Sequence, residues 1–106
     1  MKISELEDKQ GNVNIELKVI YDKMQEQERW GKRVKTLVVA DIDSKQGDET
    51  ALLDVYNDDI DKYSFQDKLR VVNGFAKKIR TLKGEQMIIT YGFINKELVG
   101  HYEKIE

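Results

Sequence analysis

The sequence contains no cysteine and no proline, and only one histidine and one tryptophan. Without cysteine there is no disulfide framework and no thiolate metal site, which fits a reducing compartment. Without proline there is no proline-rich linker. His101 stands alone, so no histidine pair or Cys–His pair is available for metal binding or acid–base chemistry. Acid pairs such as Asp58-Asp59 and Asp41-x-Asp43 form no EF-hand pattern, and no glycine-rich phosphate loop follows a strand. The expectation is a protein that is not an enzyme and carries no cofactor and no metal. No apolar run approaches the roughly 20 residues of a membrane helix. The opening Met1 to Asp8 lacks the apolar centre of a signal peptide. A soluble, cytoplasmic protein with no membrane partner is expected.

What is present fits one domain, residues 1–106, since 106 residues is an ordinary domain size and 40% hydrophobic content is enough for a core. The net charge is only −2, which argues against a bulk polycation, but the charge is segregated along the chain. Arg29, Lys32, Arg33 and Lys35 form one basic segment without an acid. Lys68, Arg70, Lys77, Lys78, Arg80 and Lys83 form a second, opposed only by Asp67 and Glu85. Between them, Asp41 to Lys62 is strongly acidic. If the two basic segments meet in the fold, one positive face results; otherwise they are ordinary solvated loops.

The hydrophobic pattern is that of strands. Val13, Ile15, Leu17, Val19 and Tyr21 alternate with polar residues, which predicts a half-buried strand. Before it, Ile3 and Leu6 are placed to pin a short lead-in to the core. Asp22 to Arg33 reads as a polar loop or hairpin tip. Val34 to Ala40 and Thr50 to Tyr56 read as the second and third strands, joined by a turn-rich acidic connection. Asn57-Asp58-Asp59 offers helix N-cap chemistry, and Asp58 to Phe65 one or two helical turns. Leu69 to Ile79 and Glu85 to Tyr91 form a hairpin around the basic turn Arg80 to Gly84. Gly74, inside the first of these runs, predicts a bulge, a bend or a close backbone approach. The tail from Phe93 onward alternates weakly and is open between a strand and a short helix. Three strands, a short helix and two more strands give an all-β fold, a five-stranded OB-fold barrel with the helix between strands 3 and 4. An antiparallel meander packed on a helix is the alternative.

At this point the chain resembles the OB-fold single-stranded DNA-binding proteins related to replication protein A, of archaeal and eukaryotic type. The resemblance runs along the whole length. It is carried by Ile3-Ser4-Glu5-Leu6 with Gly11 to Val19, by Val39-Ala40-Asp41 and by Leu53 to Asp58. Further matches are Phe65 to Val71, Asn73-Gly74-Phe75-Ala76 and Gly84 to Ile89. Each piece is short, and their order and spacing are more specific to the fold than to the activity. The resemblance implies strand binding by base stacking on aromatics of the third and fourth strands. Tyr56 stands where the family usually has Trp, and Phe75 where it has Tyr or Trp. Ile79 replaces a further common aromatic, and Gln66 stands where the family usually has Gly.

The expected function is single-stranded nucleic-acid binding in replication or repair, sequence-tolerant, with DNA as the first ligand. RNA stays open, since nothing marks recognition of a 2′-hydroxyl. Basic side chains would track phosphates while flat faces receive bases. In an OB fold the loop after the first strand and the last hairpin turn flank one groove, so both basic segments fall beside it. The expected site is Tyr56, Phe75, Ile79 and Trp30 for the bases, with Lys32, Arg33, Lys35, Lys77, Lys78, Arg80 and Lys83 for the phosphates. Tyr56 is expected on the face away from the core. Asp54, on the same face, would repel phosphate and argues the other way. The alternative is a protein-interaction OB module within a larger replication-protein-A-like assembly, with partners in the replication and repair machinery.

Overall fold

The computed structural model describes residues 1–29, 31–45, 49–94 and 97–105. A 3-10 turn, Ile3–Glu5, precedes strand β1 (Gln10–Tyr21). There follow β2 (Gln27–Arg29), β3 (Lys32–Asp41), β4 (Thr50–Tyr56), a second 3-10 turn (Asn57–Asp61), β5 (Lys68–Thr81) and β6 (Gly84–Tyr91). The strands pair in the order β1-β3-β4-β6-β5, and β5 pairs back onto β1, so the sheet closes. All pairings around the ring are antiparallel except β4 with β6. This is the all-β, five-stranded OB-type barrel that the alternation predicts, with its short helical turn between the third and fourth barrel strands. No helix among the described residues is long and apolar enough to cross a membrane.

The period-2 pattern fills the barrel. Val13, Ile15, Leu17 and Val19 of β1 point inward with Leu37 and Val39 of β3, Leu53 and Val55 of β4, Leu69 and Val71 of β5 and Ile89 of β6. Ile3 and Leu6 join this cluster, so the lead-in is pinned as its spacing suggests.

Four details differ from expectation or were left open by it. The loop after β1 contains the short strand β2, which pairs with the start of β3. The helical segment is a 3-10 turn ending at Asp61, with no side-chain cap at its start. Asn57, at φ +49, instead turns its Oδ1 to the Arg33 N–H at 3.2 Å. The tail adds a short hairpin, β7 (Phe93–Ile94) with β8 (Glu97–Leu98), and a strand β9 (His101–Ile105). β9 continues along β5 where β6 leaves it: Gly74 pairs with Tyr91, and Val72 with His101. The hairpin is therefore an excursion from one interrupted strand line. Gly92 closes it, its carbonyl accepting the N–H groups of Val99 and Gly100 at 2.9 and 3.1 Å.

Gly74 marks both a bulge and a close approach. Val13 pairs with Gly74 and Ile15 with Val71, so β5 carries an extra residue there, and Asn73 sits at φ +52. A Cβ at Gly74 would overlap the Val71 side chain. At Gly92 a Cβ would overlap the Asn73 carbonyl oxygen, which is backbone and has little freedom to move. Gly92→Ala should therefore destabilise the protein by about 1–3 kcal/mol in urea denaturation, while Gly11→Ala, whose Cβ meets nothing, shifts the midpoint far less.

The turn before β5 is held by two aspartates. Asp22 accepts the Phe65 N–H and Asp67 the Ser64 N–H, each at 2.9 Å. These bonds hold both carboxyls below the usual carboxylate range, with Lys104 assisting at Asp67. Gln66 within this turn adopts φ +76, a conformation natural to glycine. Gln66→Gly should raise the denaturation midpoint, by about 0.5–1 kcal/mol after the glycine entropy cost is set against the relieved strain.

Candidate functional site

β4 divides the molecule into an inside and an outside. Ala51, Leu53 and Val55 face the core, while Leu52, Asp54 and Tyr56 lie on the outer face. Their outer neighbours on β3 are Val38, Thr36 and Val34. Leu52 pairs with Ile88 of β6, and Ile88 lies opposite Lys77 of β5. The alternation along β5 then puts Phe75, Lys77 and Ile79 on this same outer face.

Two recesses lie on it, one at each end of β4. The first, about 410 Å³, sits over Val38, Leu52 and Gln86 between Met24 of the loop after β1 and Leu82 and Lys83 of the β5–β6 turn. The two loops expected to flank a groove do meet over one surface. Leu82 is fully exposed and Met24 is 38% exposed. The second recess, about 310 Å³, is lined by Tyr56, Tyr91, Leu98, Lys32 and the segment Asn57 to Asp59.

Asp54 lies between them and is only 4% exposed. Its carboxylate accepts the Thr36 hydroxyl at 2.8 Å and lies 3.4 Å from the Arg29 guanidinium. A buried carboxylate must be paired to be tolerated, and Arg29 supplies the charge from the edge strand β2. The expectation that Asp54 would repel phosphate is therefore corrected: its charge is internal and neutralised. The Asp54 carbonyl is also engaged, by the Tyr102 hydroxyl at 2.7 Å. That bond follows the end of the β4–β6 pairing, at Leu53 with Ile89.

Tyr56 is half-buried and packs on the core, not simply exposed. Its ring meets Tyr91 edge-on at 5.5 Å, and Tyr91 meets Tyr102 at 4.3 Å. Burial pushes the Tyr91 and Tyr102 hydroxyls far above their ordinary range, so both remain donors, Tyr91 to Asp59 and Tyr102 to Asp54. Tyr56 thus stands on a rigid aromatic stack and turns its remaining surface to the smaller recess. Phe75 is half-buried opposite Thr90, and Ile79 half-buried opposite Gln86. The Thr90 hydroxyl is the buried side-chain polar atom with no partner among the described residues.

The basic side chains divide. Lys32 lines the smaller recess, Lys83 the larger, and Lys77 is exposed on the outer face. Arg33 is tied to Glu26 at 2.5 Å, which raises its pKa further. Lys35 has the inward phase of Leu37, and its charge acts on Asp22 at the barrel end. Lys78 and Arg80 alternate with Ile79 and so point to the other side of β5. Lys78 lines a different recess with Ile3, Leu6 and Met87. Trp30 lies outside the described residues.

Arg29, Met24, Leu82 and Leu98 lie on or brace this face but were not among the expected site residues, Arg29 having been read only as part of the basic segment. A signal existed for Leu82, an apolar residue at the tip of a basic hairpin with no face to bury. No family model matches this chain, and no curated protein matches its sequence. Among the described residues no group of acids or histidines is placed to hold a metal ion.

The Asp54 arrangement makes a direct prediction. Arg29→Met should destabilise the fold by about 1–3 kcal/mol, less than for a wholly buried pair because Arg29 is 39% exposed. Adding Asp54→Asn should recover most of that loss. Additive losses in the double variant would mean that the two side chains do not interact.

Proposed function

We propose that this chain is a non-catalytic module that binds single-stranded nucleic acid, DNA in the first instance, and that it is related to the replication-protein-A group acting in replication and repair in the cytoplasm. The observation that carries this reading is the meeting of the two loops over one open outer face, with Tyr56 and Phe75 half-exposed on it. Bases stack on flat side chains regardless of sequence, while cations along the rim hold the phosphates. Lys32, Lys77 and Lys83 are the cations best disposed for this, and the pairing of Asp54 removes the opposing charge from the floor.

A second reading, a protein-interaction module, draws on a different observation. The larger recess is capped by Met24 and the fully exposed Leu82, and an apolar rim suits a protein partner as well as a base.

Fluorescence anisotropy with labelled oligo(dT) tests the choice. With Lys32, Lys77 and Lys83 on about 3 phosphates, log K should fall with log salt at a slope of about −2. Phe75→Ala with Tyr56→Leu, chosen to keep packing on Tyr91 while removing the flat face, should weaken binding about tenfold or more without altering the thermal midpoint of Phe75→Ala alone by a comparable factor. Unchanged affinity would sink the stacking model, and no binding at low salt would favour the protein partner.

A further inference from the structure

The smaller recess has a chemistry that phosphate tracking and stacking leave unused. It is lined by the rings of Tyr56 and Tyr91, by Leu98 at the end of the inserted β7–β8 hairpin and, at its rim, by the exposed Asn57 and Asp58 with Asp59. At about 310 Å³ it lies at the small end of ligand sites, about 300–1,000 Å³, a size suited to one base and not to a run of nucleotides. Lys32, also at the rim, is the cation a neighbouring phosphate would need.

The polar groups at the rim are not equivalent. Asp59 is committed, accepting the Tyr91 hydroxyl and pairing with Lys62 at 2.9 Å. Asn57 has its Oδ1 occupied by the Arg33 N–H, which leaves its amide NH₂ as a donor. Asp58 is exposed; its charge acts on Arg33 and Lys62, but among the described residues no hydrogen bond or close ion pair engages its carboxylate. An uncommitted carboxylate therefore stands beside an amide donor on the rim of an aromatic slot.

Resting on the strand-binding reading, the geometry points to a single-base slot at Tyr56 that selects guanine, with Asp58 as the specificity-determining residue. The Watson–Crick edge of guanine presents two parallel donors, N1–H and the N2 amino group, which match the two oxygens of one carboxylate. Its O6 is an acceptor that suits the Asn57 amide. Adenine, cytosine and thymine each set an acceptor beside their donor on that edge, and a carboxylate meets that acceptor with repulsion. Unstacked bases held on an aromatic ring are read in this way, through their Watson–Crick edges. The acidic rim, unfavourable for phosphate in general, becomes a reading head for one base.

The test uses the whole chain and labelled dT oligomers that carry one central substitution: dG, deoxyinosine, dA or none. The dG strand should bind about five- to tenfold tighter than the dA strand, the low end of the range for a bidentate base contact because the rim is exposed. Deoxyinosine, which lacks the N2 amino group, should lose most of that advantage. Asp58→Asn should bring the dG-to-dA affinity ratio close to one. Equal binding of dG and dA strands by the unaltered protein, or a ratio that survives in Asp58→Asn, overturns the guanine slot while leaving strand binding in place. If no strand binds at low salt, strand binding itself is overturned and the slot with it; binding of a lysine- or arginine-rich peptide by the same chain would then assign the recess to a basic side chain.

Discussion

The bend in β5 is the constraint on which the rest depends. A single strand of 14 residues must pair with β1 on one edge, and with β6 and then β9 on the other. A straight ladder cannot do this and also close a barrel of so few strands, because closure demands tilt and coiling. The extra residue at Asn73, in a left-handed conformation, and the missing Cβ at Gly74 supply the local turn. The same point receives Gly92 and Gly100 against the Asn73 carbonyl, so the bend also fixes where β6 stops, where the inserted hairpin leaves and where β9 starts. Leu98, on the hairpin that leaves this junction, lines the Tyr56 recess. The local backbone of residues 73 and 74 thus bears on where Leu98 is held.

Asp54 links the inside of the barrel to its outer face. Its carbonyl is taken by Tyr102, whose ring lies in the core. Its carboxylate is taken by Thr36 and Arg29 on the outside. Burying a charge on a β-strand is expensive unless each polar atom is answered, and here both the backbone and side-chain oxygens are. The consequence is order at the centre of the candidate face. β2 is only three residues long, too short to be stable alone, and the Arg29 bond gives it a second attachment to the sheet besides its ladder with β3.

Much of the fold was legible in the sequence because half-buried strands carry a period of two, and β1, β3, β4 and β5 display it. Gly74 was legible as a bulge for the same reason: a glycine in an otherwise well-filled strand needs a backbone explanation. β9 was not, since it lies on β5 as an added strand with Tyr102 alone fully buried in it, which leaves almost no alternation to read. The candidate face was legible in the placement of Tyr56 and Phe75 on it and in the two loops that line it. The basic residues were less so. Counting charges along a segment ignores that neighbours on a strand point to opposite sides; Lys77 and Lys78 cannot both face one groove, and Lys35 shares the phase of Leu37. That much was available from alternation. The pairing of Arg29 with Asp54, 25 residues apart, was not, because no local pattern encodes it.

The same division of charges bears on how the outer face would work. With Arg33 tied to Glu26, Arg29 to Asp54, and Lys78 and Arg80 turned away, few unpaired cations remain along it among the described residues. A surface of this kind draws little from long-range attraction, which at physiological salt is screened within about 8 Å. Its recesses are instead floored by rings and aliphatic side chains: Tyr56 and Tyr91 at one end, Val38 and Leu52 at the other. Contact energy at such a surface comes mainly from apolar and aromatic area removed from water. Such a face would favour flat, weakly polar groups, with charge serving to orient them, and that ordering of forces differs from that of a basic groove that binds any polyanion.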